Sequence, residues 1–248
     1  MLPELNLFGI TVPMYDFWNG ISILAMLLYF FLHAKQFIEI VPLCQAQTNS
    51  KKKYIYGVLM LFLFVAVAFL LFRLLNPLFG KWFTKGNANY YGSLTAWMIA
   101  FIGLPFIFKI SPLKVNDLFA PALPLQLFFA KLACFFHGCC HSYELASGFY
   151  YNQTTKRYEF PVQLIEAAVA IILLIGLLIF RRKTKHIGLV FPVYLTAYSA
   201  SRFATEFLRG DLPAIVWFLD AYQILSVIFF IFGLLFTIWI IRFGNYKN

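Results

Sequence analysis

The sequence predicts an all-α integral membrane protein: a single domain over residues 1–248 with seven transmembrane helices, the N-terminus outside and the C-terminus cytoplasmic. Three observations predict it. Apolar residues make up 62% of the chain and charged residues only 12%, against about 45–50% and about 25% in soluble globular chains. Seven stretches reach the roughly 20 mostly apolar residues that a helix needs to cross a bilayer. The net charge of +10 lies mostly between those stretches, where positive-inside bias and anionic headgroups account for it. A soluble enzyme, a nucleic-acid module and a disordered scaffold all fit such a composition poorly.

In order along the chain, the expected spans are about 15–37, 54–76, 91–110, 118–137, 161–180, 187–207 and 217–241. Polar runs punctuate them. Gln45 to Lys53 separates the first two, and Arg181-Arg182-Lys183-Thr184-Lys185-His186 separates the fifth from the sixth. A longer segment, 138–160, is rich in Tyr, Asn, Thr and Glu and is expected to be an extracytoplasmic loop. The first sixteen residues hold no Lys or Arg and no small-residue cleavage site, so the first apolar helix is expected to stay in the mature protein.

Orientation follows from the basic residues. Lys51, Lys52, Lys53, Lys109, Lys114, Arg181, Arg182, Lys183, Lys185, Arg242 and Lys247 fall on one side; Lys81, Lys85, Lys156, Arg157 and Arg209 fall on the other. The richer side is assigned to the cytoplasm. No repeat of roughly 20–50 residues is visible, so an inverted-repeat transporter is not invoked. Within span four, Ala120-Pro121-Ala122-Leu123-Pro124 lacks two backbone donors, which fits either a kinked packing helix or the wall of a wet cavity.

Charges inside apolar spans call for a reason, because each costs roughly 2.5–3.5 kcal/mol near the bilayer centre on insertion scales. The candidates are Lys131, Glu166, Arg202 and Glu206, with Tyr15, Asp16, Asp220 and Tyr222 at comparable depth. Their placement predicts a polar pocket toward the outer half of the membrane. Arg202, Glu206 and Arg209 are spaced i, i+4, i+7 and share a helical face. Glu206 is expected to neutralise one arginine and leave the other for an anionic ligand, since guanidinium forks match phosphate oxygens. The competing reading is an intramembrane ion pair with an arginine reaching to headgroups. Gln163 and Glu166 repeat the pattern at i, i+3 after Pro161.

Span four ends in Cys134-Phe135-Phe136-His137-Gly138-Cys139-Cys140-His141-Ser142. Two His and two Cys within five residues cannot close a tetrahedron around one ion, so no metal is expected. The C-x-x-C redox spacing is absent, although an outward thiol pair could oxidise. Buried cysteines are more often small hydrophobes, and Gly138 suits a turn at the helix end. His137 is the candidate for proton transfer, because imidazole titrates near neutral pH.

Asp117-Leu118-Phe119-Ala120-Pro121-Ala122-Leu123-Pro124 and the stretch from Lys131 to Cys140 resemble the signature of the prolipoprotein diacylglyceryl transferase family, approximately D-x-x-A-P-x-x-P followed by G-R-x-G-N-F-x-N-G-E. Phe160 to Ala167 is similar to its R-H-P-x-Q-L-Y-E-A segment, and Tyr198 to Asp211 to Y-x-x-x-R-F-x-x-E-x-x-R-x-x-D. Gln223-Ile224-Leu225-Ser226 resembles the start of the family's last span, and Pro13-Met14-Tyr15 its first-span tyrosine. The matches keep order and spacing over most of the chain.

The resemblance implies a seven-span enzyme of the bacterial cytoplasmic membrane. Such an enzyme moves the diacylglyceryl group of phosphatidylglycerol to a lipobox cysteine thiol and releases glycerol phosphate. Its partners would be an anionic phospholipid and a prolipoprotein acceptor, with no cofactor and no nucleic acid. Arg202, Lys131, Glu206, His137, Cys139 and Cys140 are the candidates for the reaction; Tyr15, Tyr91, Asp117, Gln163, Glu166, Tyr198 and Arg209 are the candidates for substrate binding. The chain departs from the pattern in places. Lys131 stands for the signature arginine, His137 and Cys139 for the Asn and Glu of N-G-E, Phe160 for the His before Pro, and Tyr91 for a histidine. A phenol is a poor base near neutral pH. Two other readings stay open at this point: a thiol-dependent acyltransferase using Cys139 or Cys140, and a lipid-binding homologue without catalysis.

Overall fold

The computed structural model describes all residues except 1–3, 8–9, 84–89, 141, 148–149, 153–154, 210–214, 216 and 245–248. Lys85, His141, Asp211 and Lys247 therefore lie outside the described residues. The chain is mostly helical. A short antiparallel pair, β1 (Glu4–Leu7) and β2 (Ile10–Pro13), leads into α1 (Met14–Ile40), α2 (Pro42–Gln45) and α3 (Ser50–Phe83). Then come α4 (Tyr90–Met98), a π-helical turn (Ile99–Gly103), α5 (Leu104–Ile107), α6 (Pro112–Phe119) and α7 (Ala122–His137). Segment 138–160 forms β3 (Glu144–Leu145), β4 (Tyr150–Asn152) and β5 (Arg157–Glu159), in sheet order β3-β5-β4. Helices α8 (Val162–Lys183), α9 (Val190–Glu206) and α10 (Ala221–Phe243) complete the fold.

Among the described residues, six stretches are long and apolar enough to cross a membrane: Met14–Ile40, Ser50–Leu75, Tyr90–Ile107, Pro112–His137, Val162–Lys183 and Ala221–Phe243. They correspond to six of the seven expected spans. The sixth in chain order, expected at 187–207, is α9, with 17 residues, short of the roughly 20 a perpendicular crossing takes. Large apolar side chains such as Leu24, Phe62, Ile172 and Leu235 point outward. That arrangement suits a hydrocarbon solvent, which demands only that backbone polar groups be paired internally.

Contacts divide the chain into two compact units. The first comprises Met1–Leu28, Pro121–Phe180 and Tyr194–Gly233. In it Trp18 of α1 stacks on Phe136 of α7 at 5.6 Å between ring centroids, and Ser22 donates to the Gln126 carbonyl at 3.3 Å. Helix α7 ends at Gly138, whose left-handed φ of 78° is the conformation glycine adopts without a Cβ penalty. The sheet that follows is fastened by Asn152, which donates to Glu159 at 2.9 Å and to the Gly138 carbonyl at 3.2 Å. Asp220 and Gln223 start α10 with reciprocal backbone bonds of 2.8 and 3.1 Å, a capping box with Asp at the cap and Gln three residues on.

The second unit comprises Tyr29–Ala120, Arg181–Val193 and Leu234–Asn248. Its core is aromatic: Phe30, Phe37, Phe64, Phe101 and Phe119 are all buried, and Trp97 stacks on Phe101 at 3.8 Å. The π-helical turn has a local cause. Pro105 has no N–H to offer the Phe101 carbonyl four residues back, and the side-chain amide of Asn116 fills that acceptor at 2.8 Å. Helix α6 stops at Phe119 and α7 starts at Ala122, so the Ala-Pro step interrupts the helix. Residues 119–124 are buried.

Candidate functional site

The charged side chains expected inside the spans converge within the first unit. Helix α7 brings Lys131, α8 brings Glu166, and α9 brings Arg202 and Glu206 on one face. Arg209 follows in the turn after α9, placed by its backbone bond to Glu206 at 3.0 Å and a bridge to Ser142. Lys131 Nζ lies 2.6 Å from Glu166 Oε2, and Arg202 binds Glu166 Oε1. Arg202 also reaches Glu206 Oε2 at 2.5 Å. Arg209 lies 3.5 Å from Glu206 and 3.8 Å from Glu166.

Among the described residues, three cations meet two carboxylates in this cluster. Glu166, Arg202, Glu206 and Arg209 are buried, and only 12% of the Lys131 side chain is exposed. Removing such charges from water is recouped only by close pairing of this kind. Tyr222, in the first turn of α10, places its ring 4.8 Å below the Arg202 guanidinium and 5.8 Å from that of Arg209, within cation–π range. A cleft lined by Leu127, Lys131, Glu166, Val169, Tyr198, Ser201, Arg202 and Thr205 opens here. Its free space of about 10 Å³ matches one water molecule.

The structure redistributes the roles expected from sequence. Glu206 touches both arginines rather than one. Glu166 is the hub that holds all three cations, a role that α8's own sequence pattern does not reveal. Tyr198 lines the cleft. Gln163 does not enter the charge cluster through its amide nitrogen: it donates to the Cys139 carbonyl at 2.7 Å. His137 stands at the exposed end of α7, its ring 5.2 Å from that of Tyr15. In the second unit, Tyr91 is buried, and the Asp117 carboxylate accepts the backbone N–H groups of Gly188 at 2.7 Å and Val190 at 2.8 Å. Asp117 thereby caps the start of α9.

The sulfurs of Cys134, Cys139 and Cys140 all lie within 4.8 Å of one another, and the cysteines are free thiols. Hydrogen bonds from Cys134 and Cys139, helped by the charges of Arg209 and Lys131, hold the Cys140 thiol well below its usual range. Cys139 is pushed up to about 12: its bond with Cys134 favours the thiolate, but donation to Cys140 and burial outweigh it. Tyr222, expected at the depth of the polar pocket, is found against both guanidinium groups. Cys134 is the site residue to which sequence reasoning gave no role, and it joins the thiols because the turn at Gly138 brings Cys139 and Cys140 back to it.

Membrane-length apolar helices, with a buried cluster of paired charged side chains within the first unit, define a multi-pass helical membrane protein with a polar site. The chain belongs to the prolipoprotein diacylglyceryl transferase family, whose model matches residues 5–239. Among curated relatives, it is 25% identical over 258 residues to a phosphatidylglycerol--prolipoprotein diacylglyceryl transferase of Hydrogenovibrio crunogenus, covering 97% of this chain and 96% of the relative. It is 31% identical to a protein of the same name from Clostridium tetani over 49% of this chain and 51% of the relative. For one from Idiomarina loihiensis the identity is 29%, over 54% and 52%. In the latter two comparisons the chain spans about half the length of the relative it matches.

Proposed function

We propose that this protein transfers the diacylglyceryl group of phosphatidylglycerol, or a similar anionic phospholipid, to the cysteine thiol of a prolipoprotein. In the reaction the acceptor sulfur forms a bond to the glyceryl carbon while the bond from that carbon to the phosphate oxygen breaks. Glycerol phosphate leaves, carrying the electron pair, and the thiol proton passes to a base or to the leaving phosphate. The observation that carries the reading is the convergence of Lys131, Arg202 and Arg209 on the single carboxylate of Glu166.

Glu166 occupies the place an anionic headgroup would take. A lipid phosphate displacing that carboxylate meets one amine and two guanidinium groups already in position, and such preorganised cations stabilise the negative charge that builds on a leaving phosphate. Glu206 keeps both arginines oriented. Tyr198 and Ser201 flank the cleft, and His137, whose ring stands 5.2 Å from that of Tyr15, is the candidate for moving the thiol proton. We further read the chain as one seven-span domain of the bacterial cytoplasmic membrane, with α9 as the sixth span in chain order, the N-terminus and segment 138–160 outside, and the C-terminus inside. The uneven distribution of loop Lys and Arg supports that orientation.

The test uses membranes bearing the full chain, phosphatidylglycerol labelled in its acyl chains and a lipobox peptide. Label is expected in a thioether on the peptide, and lost in Arg202→Ala. Absence of label transfer, beside a relative of proven activity as control, overturns the reading. Label that appears first as a thioester on Cys139 or Cys140 assigns acyl transfer instead.

A further inference from the structure

We propose that Cys134, Cys139 and Cys140 form a binding site for one thiophilic divalent cation of the zinc(II) type, with the fourth coordination position open. The inference does not depend on the transferase reading. Residues 137–141 alone are too close in sequence to enclose an ion. Cys134 changes the geometry, because it sits one helical turn before the end of α7 and presents its sulfur from a separate level. The three sulfurs lie within 4.8 Å of one another. A tetrahedral zinc with bonds of about 2.3 Å to sulfur sets its thiolates about 3.8 Å apart, so closing the site takes rotamer adjustments without refolding.

The backbone that carries the ligands is built for this convergence. The Cys134 carbonyl accepts both the Gly138 N–H at 2.9 Å and the Cys139 N–H at 3.2 Å, which wraps the chain around the helix end. Cys140 then adopts a left-handed φ of 62°, a conformation that costs a non-glycine residue energy and persists only where the surroundings enforce it. Buried amides from elsewhere pin the turn: Asn152 holds the Gly138 carbonyl at 3.2 Å and Gln163 the Cys139 carbonyl at 2.7 Å. Outer contacts of this kind orient metal ligands before the ion arrives.

Charge completes the case. A divalent cation on three thiolates carries one net negative charge, and Lys131 and Arg209 both act electrostatically on Cys140. Three thiolates select soft metals over magnesium or calcium, and three protein ligands with an open fourth position is the arrangement of zinc sites that also take an exogenous ligand, a thiol among them.

The experiment uses the full chain in detergent, reduced, loaded with zinc and passed through gel filtration. About one zinc per chain is expected by mass spectrometry. Cobalt(II) in its place should give intense sulfur-to-metal charge-transfer absorption in the near ultraviolet. Both signals should vanish in Cys139→Ser and in Cys134→Ser. Should these variants fail to fold, the wild type still decides: zinc should protect the three thiols from alkylation by about ten-fold or more, with chelator restoring reactivity. Zinc well below stoichiometry, alkylation indifferent to zinc, or a disulfide between two of the three sulfurs in the protein as purified would each overturn the proposal.

Discussion

Lys131 Nζ and Glu166 Oε2 stand 2.6 Å apart, an amine from α7 against a carboxylate from α8, and the same carboxylate binds Arg202 through its other oxygen. One glutamate thus bridges three helices' worth of buried charge. Its removal leaves cations facing one another with Glu206 as the other carboxylate among the described residues of the cluster.

Glu166→Gln is therefore expected to destabilise the protein by about 3–5 kcal/mol, the range for breaking a buried ion pair from one side. An anion that enters the vacated position should restore part of the loss. Phosphatidylglycerol is expected to raise the Tm of Glu166→Gln more than that of the wild type, while a zwitterionic phospholipid raises both equally. Thermal unfolding in mixed micelles reads both effects, and equal response to the two lipids would mean that no headgroup takes the carboxylate's place.

At Lys131 the chain carries a point charge where its family pattern has a planar fork. Lys131→Arg should keep the bridge to Glu166 and retain transfer, since the longer guanidinium offers paired donors to phosphate. Lys131→Ala should lower kcat by about 100-fold, the cost of deleting one preorganised donor to a developing charge. Steady-state transfer assays separate the outcomes. An alanine variant with wild-type kcat would take Lys131 out of the site.

What the sequence revealed and what it hid divide along a physical line. Features encoded within one helix were legible: apolar length located six spans, and the i, i+4 spacing put Arg202 and Glu206 on one face, whereas Arg209, expected on that same helical face, lies beyond the end of α9 and reaches Glu206 from the turn that follows. Features created by two helices meeting were not. Nothing around Gln163 and Glu166 says that Lys131 will arrive from α7, and Cys134 looks like any small core residue until Gly138 turns the chain back on it. The short strands within 138–160 were also hidden, because buried Asn152 and Glu159 hold them rather than an alternating apolar pattern. The π-helical turn carries a local sequence signal of its own: Pro105 four residues after Phe101, and a buried Asn116 to answer the orphaned carbonyl.

Gly57 tests the close approach of α1 and α3 in the second unit. A Cβ built there would collide with Ile38 Cγ1 and lie 2.9 Å from its Cδ1. Ile38 is β-branched and has little rotamer freedom in a helix, so it cannot swing away cheaply. Gly57→Ala should lower stability by about 1–3 kcal/mol, as overpacking does. Combined with Ile38→Ala the two losses should be less than additive, because the second change removes the atoms the first collides with. Strict additivity in denaturation measurements would deny the contact.

Asp117 separates a structural duty from a substrate-binding one. Its two oxygens accept the N–H groups of Gly188 and Val190, and Gly188 holds a φ of 91° with Leu113 2.8 Å from where a Cβ would stand, so the segment has little room to rearrange. Asp117→Asn keeps size and shape but turns an amide N–H₂ toward one of those backbone donors. Donor then faces donor in a buried setting, which should cost about 1–2 kcal/mol. If the carboxylate serves only to start α9, Tm falls while KM for phosphatidylglycerol in the folded fraction stays at the wild-type value. If it meets the lipid as the sequence led us to expect, KM rises with little change in Tm. Measuring both quantities on the one variant decides between the roles, because the cap acts through the helix it starts and a substrate contact acts through the ligand it holds.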